Sequence, residues 1–186
     1  MYNISLTTPS HVGRMSDYIR PKIPGATVFC TVVLALRGSS LLVDHIDLLR
    51  ESVFEMRSVR LFQIDAWVVL PDHMHFVWTL PEGDCDLGVR IGAMKARFTM
   101  KLRRAGFSPP TTFPVVRNGR FAGLKPGLRE TKRESAVWQR RFWEHHIRNE
   151  DEFRAYVEYC HINPVKHGFV ERPEDWPYST VHLRGV

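Results

Sequence analysis

The stretch Phe62-Gln-Ile-Asp-Ala-Trp-Val-Val-Leu-Pro-Asp-His-Met-His-Phe-Val-Trp-Thr-Leu80 decides the fold, because two apolar runs flank the turn-forming pair Pro71-Asp72. Side chains alternate between the two faces of a strand, so residues two apart point the same way. The pattern therefore predicts a β-hairpin whose second strand carries His73 and His75 on one face. Two imidazoles so placed can bind one metal ion together, although half-buried strand histidines without a ligand fit the same spacing.

The alternation also predicts how the hairpin faces the core. If both strands place their apolar residues on one face, parity requires a loop with an odd number of residues, and Leu70-Pro71-Asp72 satisfies this. The other face would then be mixed and would carry the two histidines. The predicted core face consists of Phe62, Ile64, Ala66, Val68, Met74, Phe76, Trp78 and Leu80.

Length and composition indicate one domain, or one domain with an insertion. The chain has 186 residues, of which 44% are hydrophobic, enough for a substantial core. Three widely spaced cysteines without a paired motif are typical of a reducing compartment. The first 25 residues lack a signal-peptide pattern, and the longest apolar run, Ala26 to Leu36, is much shorter than the roughly 20 residues of a membrane helix. We therefore expect a cytoplasmic protein without a membrane partner.

Positive charge is concentrated in the middle of the chain. Between Val89 and Arg148 there are 15 Lys or Arg residues and 3 Asp or Glu residues, whereas the rest of the chain is net acidic. A localised basic region is typical of a surface that binds a phosphate backbone, and we expect Arg140 and Arg141 to be part of it. A solubilising surface is the alternative, but such surfaces normally mix both signs.

Two amphipathic segments predict helices beside the sheet. Asp44–Arg57 and Asp86–Arg104 both carry apolar residues at helical spacing. Together with a Val- and Thr-rich strand over Thr27–Leu36, they indicate an α/β fold. The second helix also has a basic stripe, which we expect to face nucleic acid and which consists of Arg90, Arg97, Lys101 and Arg104.

The segment from Gly106 to about Ser135 differs in composition from the rest of the chain. It combines prolines and glycines with many basic residues, which indicates a basic insertion that becomes ordered on its ligand. Inside it, Val115–Phe121 predicts a small hairpin turning at Asn118-Gly119.

A further helix is predicted to begin after Asn149, an N-cap residue followed by three acidic residues. Pro164 is expected to end it near Asn163. Tyr159 and Asn163 are four residues apart and share a flank beside the apolar stripe formed by Phe153, Tyr156, Val157 and Cys160. A phenol there could attack a phosphorus atom, and the amide could bind the same metal ion as the histidines. The alternatives are a helix-edge tyrosine and a helix-terminating asparagine.

Several motifs resemble those of the REP-associated tyrosine transposases, relatives of the single-tyrosine HUH transposases of insertion sequences. They occur in the family's order along most of the chain and are jointly specific. They are Ala66-Trp-Val-Val-Leu-Pro-Asp-His-Met-His75, Thr79-Leu-Pro-Glu-Gly83, Trp138-Gln-Arg-Arg-Phe-Trp-Glu-His145, Tyr159-Cys-His-Ile-Asn-Pro-Val-Lys-His-Gly168 and Asp175-Trp-Pro-Tyr-Ser179.

The resemblance implies a ferredoxin-like sandwich with a central antiparallel sheet, of the HUH endonuclease type. It implies that Tyr159 is the nucleophile, that His73 and His75 are the metal-binding pair, and that Asn163 is the third ligand of Mg²⁺ or Mn²⁺. Residues 1–25 would form a DNA-recognition arm through Tyr18 and Arg20, and residues 26–186 would form the transposase domain.

The activity implied is cleavage and transfer of single-stranded DNA at a REP-like hairpin through a 5′-phosphotyrosine, without a nucleotide cofactor. The protein would act as a monomer or homodimer. The alternative is a hairpin-binding protein with an idle site, which would form no covalent adduct. A zinc hydrolase is disfavoured, because catalytic zinc usually has three strong protein ligands and only two histidines stand out.

Overall fold

A four-stranded antiparallel sheet organises the computed structural model, which describes residues 21–107, 116–117, 120–121 and 137–183. The sheet contains β1 (Thr27–Val33), β2 (Gln63–Val69), β3 (His73–Thr79) and β6 (Trp143–His146), and a separate pair is formed by β4 (Val116–Arg117) and β5 (Arg120–Phe121). The helices are α1 (Leu41–Asp44), α2 (Ile46–Val59), α3 (Leu87–Arg104) and α4 (Glu150–Lys166), followed by 3₁₀ turns at Pro173–Asp175 and Thr180–Leu183.

The strand order confirms the predicted ferredoxin-like topology. Along the sheet the order is β2-β3-β1-β6, with every neighbouring pair antiparallel. Helices α2 and α3 connect the strands on one side of the sheet, and α4 packs against β2 and β3. The order of elements along the chain is therefore strand, helix, strand, strand, helix, strand, with α4 added at the end.

The two faces of the sheet pack into separate apolar clusters, so both are covered. The cluster toward α2 and α3 contains Met74, Phe76 and Trp78 of β3, each fully buried. The cluster toward α4 contains Val77 of β3 and Phe29 of β1. The histidine face of β3 therefore lies under α4, and α2 and α3 cover the other face.

The predicted register of the hairpin is wrong by one residue over most of its length. Leu70 N–H donates to His73 O, which closes a two-residue turn at Pro71-Asp72 instead of a three-residue loop. Met74 therefore pairs with Val69, and Ala66 and Val68 lie on the α4 face with the histidines.

An irregularity in β2 then restores the predicted pairing at the far end of the hairpin. A bulge between Ile64 and Ala66 leaves one extra residue, Asp65, so that Ile64 pairs with Trp78. Asp65 is held by a hydrogen bond from Thr79 Oγ1 at 2.7 Å. Only Phe62 and Ile64 of the predicted β2 core set pack with Phe76 and Trp78.

Helix α4 extends one turn further than predicted. Asn149 is its N-cap, as expected, and its Oδ1 accepts from Glu152 N–H. Pro164 lies inside the helix and removes a single donor without ending it. The helix ends at Lys166 instead, and Gly168 just beyond it has a φ of 71°, which allows a Schellman motif in which Phe169 N–H donates to Pro164 O.

The C-terminal segment covers the free edge of β2. Val69 N–H donates to Tyr178 O at 2.8 Å, and Trp176 Nε1 donates to Val69 O at 2.9 Å. Trp67 N–H donates to Thr180 Oγ1 at 2.9 Å. These contacts give β2 a partner along an edge that would otherwise expose backbone donors and acceptors.

The remaining segments give partial answers. The small predicted hairpin is present, because Val116 pairs with Phe121 and Arg117 with Arg120. Apart from Gly106 and Phe107, the rest of the predicted insertion lies outside the described residues, as do residues 1–20 of the predicted arm. Among the described helices, none is both long enough and apolar enough to cross a bilayer.

Candidate active site

His73 and His75 are the first and third residues of β3, next to the turn, and lie on the face covered by α4. Both are almost completely buried, with 7% and 5% of their surface exposed. Their ring centroids are 5.1 Å apart and the rings are nearly perpendicular. The structure therefore brings the predicted pair together on one face, as the strand periodicity requires.

Each imidazole is held through its Nδ1 atom. His73 Nδ1 lies 2.6 Å from Asp72 Oδ1, and His75 Nδ1 lies 2.8 Å from Thr31 Oγ1. Asp72 is itself fixed by Gly38 N–H, which donates to its other carboxylate oxygen. With Nδ1 occupied in this way, Nε2 of each ring is the nitrogen that can bind a metal ion, an arrangement common around metal-binding histidines.

The electrostatics of the pair favour neutral imidazoles. Burial, reinforced by the neighbouring His73 and His167, lowers the pKa of His75 to about 3. Burial also lowers the pKa of His73, although Asp72 acts in the opposite direction. Burial raises the pKa of Asp72, but hydrogen bonds from Gly38 and His73 leave it below its ordinary value. Neutral imidazole is the form that binds metal ions.

Tyr159 of α4 lies directly against the histidine pair. Its ring centroid is 5.2 Å from that of His75 and 5.6 Å from that of Phe29. The side chain is partly exposed, and the Lys166 ammonium lies over its ring at 4.7 Å from the centroid. A phenol in this position is accessible to a ligand and is flanked by the Lys166 ammonium and the His75 imidazole.

Asn163 and His167 continue the same flank of α4, at intervals of four residues from Tyr159. Tyr159 contacts His75, and the His167 ring lies 5.2 Å from that of His73. Asn163 therefore lies between the two contacts and faces the histidine pair. Its side chain is 1% exposed, and its Oδ1 has no hydrogen-bond partner within the described part of the chain.

These donors fit a divalent cation. A buried amide oxygen without a partner lowers stability unless a hydrogen-bond donor or a metal ion binds it. Together with the two neutral imidazoles, which are oriented through Nδ1, the Asn163 oxygen makes a mixed set of nitrogen and oxygen ligands. Over residues 21–107 and 137–183, no group of three or more His, Cys, Asp or Glu side chains is arranged to hold a metal ion. The candidate set is instead two imidazoles and one amide.

Arg90 was predicted to contact DNA, and the structure contradicts this. Its side chain is 1% exposed and makes a two-pronged ion pair with Asp84, at 2.9 Å and 2.6 Å. It also donates to Leu61 O at 2.8 Å. A buried, paired guanidinium cannot reach a phosphate; here it joins the start of α3 to the chain segment before β2.

The rest of the predicted basic stripe largely faces α2. Lys101 Nζ lies 3.0 Å from Glu51 and 2.8 Å from Glu55, and Arg97 lies 3.9 Å from Glu55. Their charges are therefore partly neutralised by another helix of the same chain. Arg104, at the end of α3, is exposed.

Arg140 and Arg141 are exposed just before β6, as a role in DNA binding requires. Tyr18 and Arg20 lie outside the described residues, so their predicted role is untouched. All of these DNA contacts stay predictions.

Four residues of the site were not identified from the sequence: Thr31, Asp72, Lys166 and His167. His167 could have been found, because it repeats the four-residue spacing of Tyr159 and Asn163. Asp72 precedes His73, but its use as a hydrogen-bond partner depends on the turn. Thr31 is 44 residues from His75 and meets it only through the pairing of β1 with β3.

A tyrosine helix laid over a paired-histidine strand of a ferredoxin-like sheet is the arrangement of the single-tyrosine HUH class. No family model matches the chain. It is 42% identical over 168 residues to a REP-associated tyrosine transposase of Escherichia coli (strain K12), covering 90% of this chain and 84% of the relative. A relative in Haemophilus influenzae (strain ATCC 51907 / DSM 11121 / KW20 / Rd), which carries the same family name provisionally, is 38% identical over 90% of this chain and 86% of its own length.

A solved structure gives the same result at the level of the fold. A REP-associated tyrosine transposase bound to a REP hairpin superimposes with a TM-score of 0.72 at 40% identity, covering 92% of this chain and 87% of that one. The chain belongs to the REP-associated tyrosine transposases. It is thus a member of a family of DNA-cleaving enzymes.

Proposed function

We propose that this protein cleaves and rejoins single-stranded DNA at the foot of a REP-like hairpin, through a covalent bond between Tyr159 and the DNA. The observation that carries the proposal is the position of the Tyr159 phenol against His75, beside a pair of neutral imidazoles and a buried amide oxygen. The hairpin as substrate is supported by the related protein that was solved bound to a REP hairpin.

The chemistry assigned to the residues is as follows. Tyr159 Oη attacks the phosphorus atom of the scissile phosphodiester, forming a P–O bond while the bond to the 3′ oxygen breaks. The phenol loses its proton and the departing 3′ oxygen gains one, so the products are a 5′-phosphotyrosine and a free 3′-hydroxyl. A 3′-hydroxyl on another DNA end can reverse the attack, which transfers the strand without an external energy source.

A divalent cation would be held by His73, His75 and Asn163 and would polarise the phosphate oxygens. Mg²⁺ and Mn²⁺ both suit this role, and imidazole ligands favour Mn²⁺. The Lys166 ammonium is placed to counter negative charge near Tyr159.

Because Tyr159 meets His75 of its own chain, a monomer has every group that the reaction needs. A DNA substrate also places the protein with the bacterial chromosome in the cytoplasm.

The experiment that tests the function is a search for the covalent adduct. Tyr159→Phe keeps the ring and its packing but removes the attacking oxygen, so cleavage and the protein–oligonucleotide band on a denaturing gel should fall by about 10⁴-fold or more, while hairpin affinity stays the same. The matched control is Tyr156→Phe, because Tyr156 packs on Phe29 on the same helix face but has no contact with His75 among those the structure shows. It should cleave at nearly the wild-type rate.

A band that persists in Tyr159→Phe would reject this residue as the nucleophile. If the wild-type protein binds the hairpin but forms no band with either cation, the chain is a hairpin-binding protein with an idle site.

A further inference from the structure

Trp143, at the start of β6, exposes an indole ring beside the candidate active site. It is 48% exposed, and β6 forms the edge of the sheet. The opposite edge, along β2, is covered by the C-terminal segment, whereas within the described ranges no strand pairs with the outer side of β6. Tryptophan is enriched at binding interfaces, because its ring offers a large apolar surface together with a polar N–H group.

Trp143 is joined to Tyr159 through a single ring. Phe29 meets Trp143 edge-on at a centroid distance of 5.6 Å, and it also meets Tyr159 edge-on at 5.6 Å. The Trp143 and Tyr159 rings are therefore separated by at most about 11 Å. Since stacked nucleotides of one strand are spaced by about 3.4 Å, this distance corresponds to at most about three nucleotides.

The indole is supported by a second ring that is itself fixed. His145, two residues along the strand, lies nearly parallel to Trp143 with an interplanar angle of 10° and a centroid distance of 6.2 Å. His145 Nε2 contacts Glu152 Oε2 at 3.3 Å, and its ring packs on Tyr156 at 5.0 Å. Trp143 and His145 thus form an aromatic platform that is held by α4, the helix that carries Tyr159.

The charge around the platform suits a phosphate backbone. Arg140 and Arg141 precede β6 and Arg148 follows it, and all three are exposed. Positive side chains at both ends of a short edge strand, with an aromatic ring between them, are the two elements from which single-strand binding surfaces are built. Phe54 on α2 is also exposed, at 73%, but it lies on the side of the sheet away from α4.

We propose that Trp143 is a stacking site for an unpaired nucleobase of the DNA strand that enters the active site, within about three nucleotides of the phosphate attacked by Tyr159. This proposal rests on the proposed function, because it takes the strand at Tyr159 to be DNA. The stacking site would accept any of the four bases, since every base has a π-face.

The test compares Trp143→Leu with Trp143→Phe. The probe is a REP-type hairpin with unpaired flanks, labelled with fluorescein and kept uncut by a chelator. Trp143→Leu should weaken binding about 10-fold, and Trp143→Phe much less, because base stacking on an aromatic ring is lost only in the former. Phe54→Leu is the matched control and should bind like the wild type. Thermal melting of each variant separates a binding defect from unfolding.

An abasic scan then locates the base. Hairpins lacking one base at a time, within five nucleotides of the cleaved phosphate, are titrated with wild-type protein and Trp143→Leu. One or two adjacent positions should weaken wild-type binding about 10-fold but leave Trp143→Leu binding unchanged, because the partner ring is already gone.

Two outcomes would overturn the proposal: a Trp143→Leu variant that binds every hairpin as tightly as the wild type, or equal losses at every abasic position in both proteins. Neither outcome affects the covalent adduct, which depends on Tyr159. A wild-type protein that forms no adduct would instead refute the proposed function while leaving the stacking measurement interpretable.

Discussion

Strand β3 has two faces that are both almost completely buried but chemically different. Met74, Phe76 and Trp78 on one face are fully buried against α2 and α3. His73 and His75 on the other face are 7% and 5% exposed under α4. Burial alone therefore does not distinguish the core from the candidate site; the distinction is whether the buried groups are polar and what satisfies them.

The two faces are also organised by different forces. On the core face, the removal of apolar surface from water stabilises the fold, and the ring centroids of Phe76 and Trp78 are stacked 4.0 Å apart. On the site face, each imidazole has one fixed hydrogen-bond partner, and Asn163 Oδ1 has none within the described residues. Burying polar groups in this way lowers stability, so the site face is expected to tolerate substitutions that the core face does not.

Neighbouring residues on opposite faces give the largest expected contrast. His75→Ala should reduce hairpin cleavage by at least about 10³-fold, because it removes one of the two imidazoles proposed to bind the metal ion, with only a small change in the free energy of unfolding. Phe76→Ala should instead cost about 3–5 kcal/mol of stability through the cavity that it leaves. Cleavage rates with added Mn²⁺ and urea unfolding curves measure the two effects.

The comparison requires one further control. Phe76→Ala should cleave at nearly the wild-type rate at temperatures where it stays folded. If His75→Ala loses as much stability as Phe76→Ala while keeping its activity, the histidine face is simply a second core.

The second largest effect is expected at Asp84, the carboxylate that pairs with the buried Arg90. Asp84→Asn should cost about 2 kcal/mol or more, because it leaves a guanidinium that is 1% exposed without its counter-ion. The bonds from Arg90 and from Asp86 N–H hold the pKa of Asp84 below its ordinary value. Its contribution is therefore fully present above the unfolded-state pKa of about 3.9 and is lost as the pH falls through the lower, folded-state value.

Unfolding free energies measured across this acid range test the assignment. The wild type should lose stability below about pH 4, and Asp84→Asn should show a shallower decline in the same window. Glu55→Gln, in the exposed pairs with Lys101 and Arg97, is the matched control and should change stability much less. Equal effects of the two substitutions would mean that the Arg90 pair is not special.

Local patterns could be predicted from the sequence, and pairings between distant segments could not. The hairpin, the helix cap at Asn149 and the histidine pair on one strand face depend on residues that are close in the chain. The register depended on an even turn at Pro71-Asp72 and on the bulge at Asp65, neither of which the apolar pattern reveals.

The basic stripe of α3 shows the same limit for charge. Its spacing was correct, but a cluster of positive residues does not reveal which neighbour it will face. In the folded chain it meets Asp84 and the glutamates of α2, so much of its charge is paired within the protein.

The hydrogen bonds that orient the imidazoles should give the smallest effect. Thr31→Val keeps the shape of the side chain but removes the oxygen that lies 2.8 Å from His75 Nδ1. The Mn²⁺ concentration for half-maximal cleavage should rise about 10-fold, with little change at saturating metal, because the ring is less well oriented but still present. Thr31→Ser, which retains the hydroxyl, should restore the wild-type value.

Asp72→Asn should have a larger effect, up to about 100-fold, since a charged partner at 2.6 Å is lost from His73. An unchanged metal dependence in both Thr31→Val and Asp72→Asn would mean that the imidazoles are not oriented for metal, and the two faces of β3 would then differ only in composition.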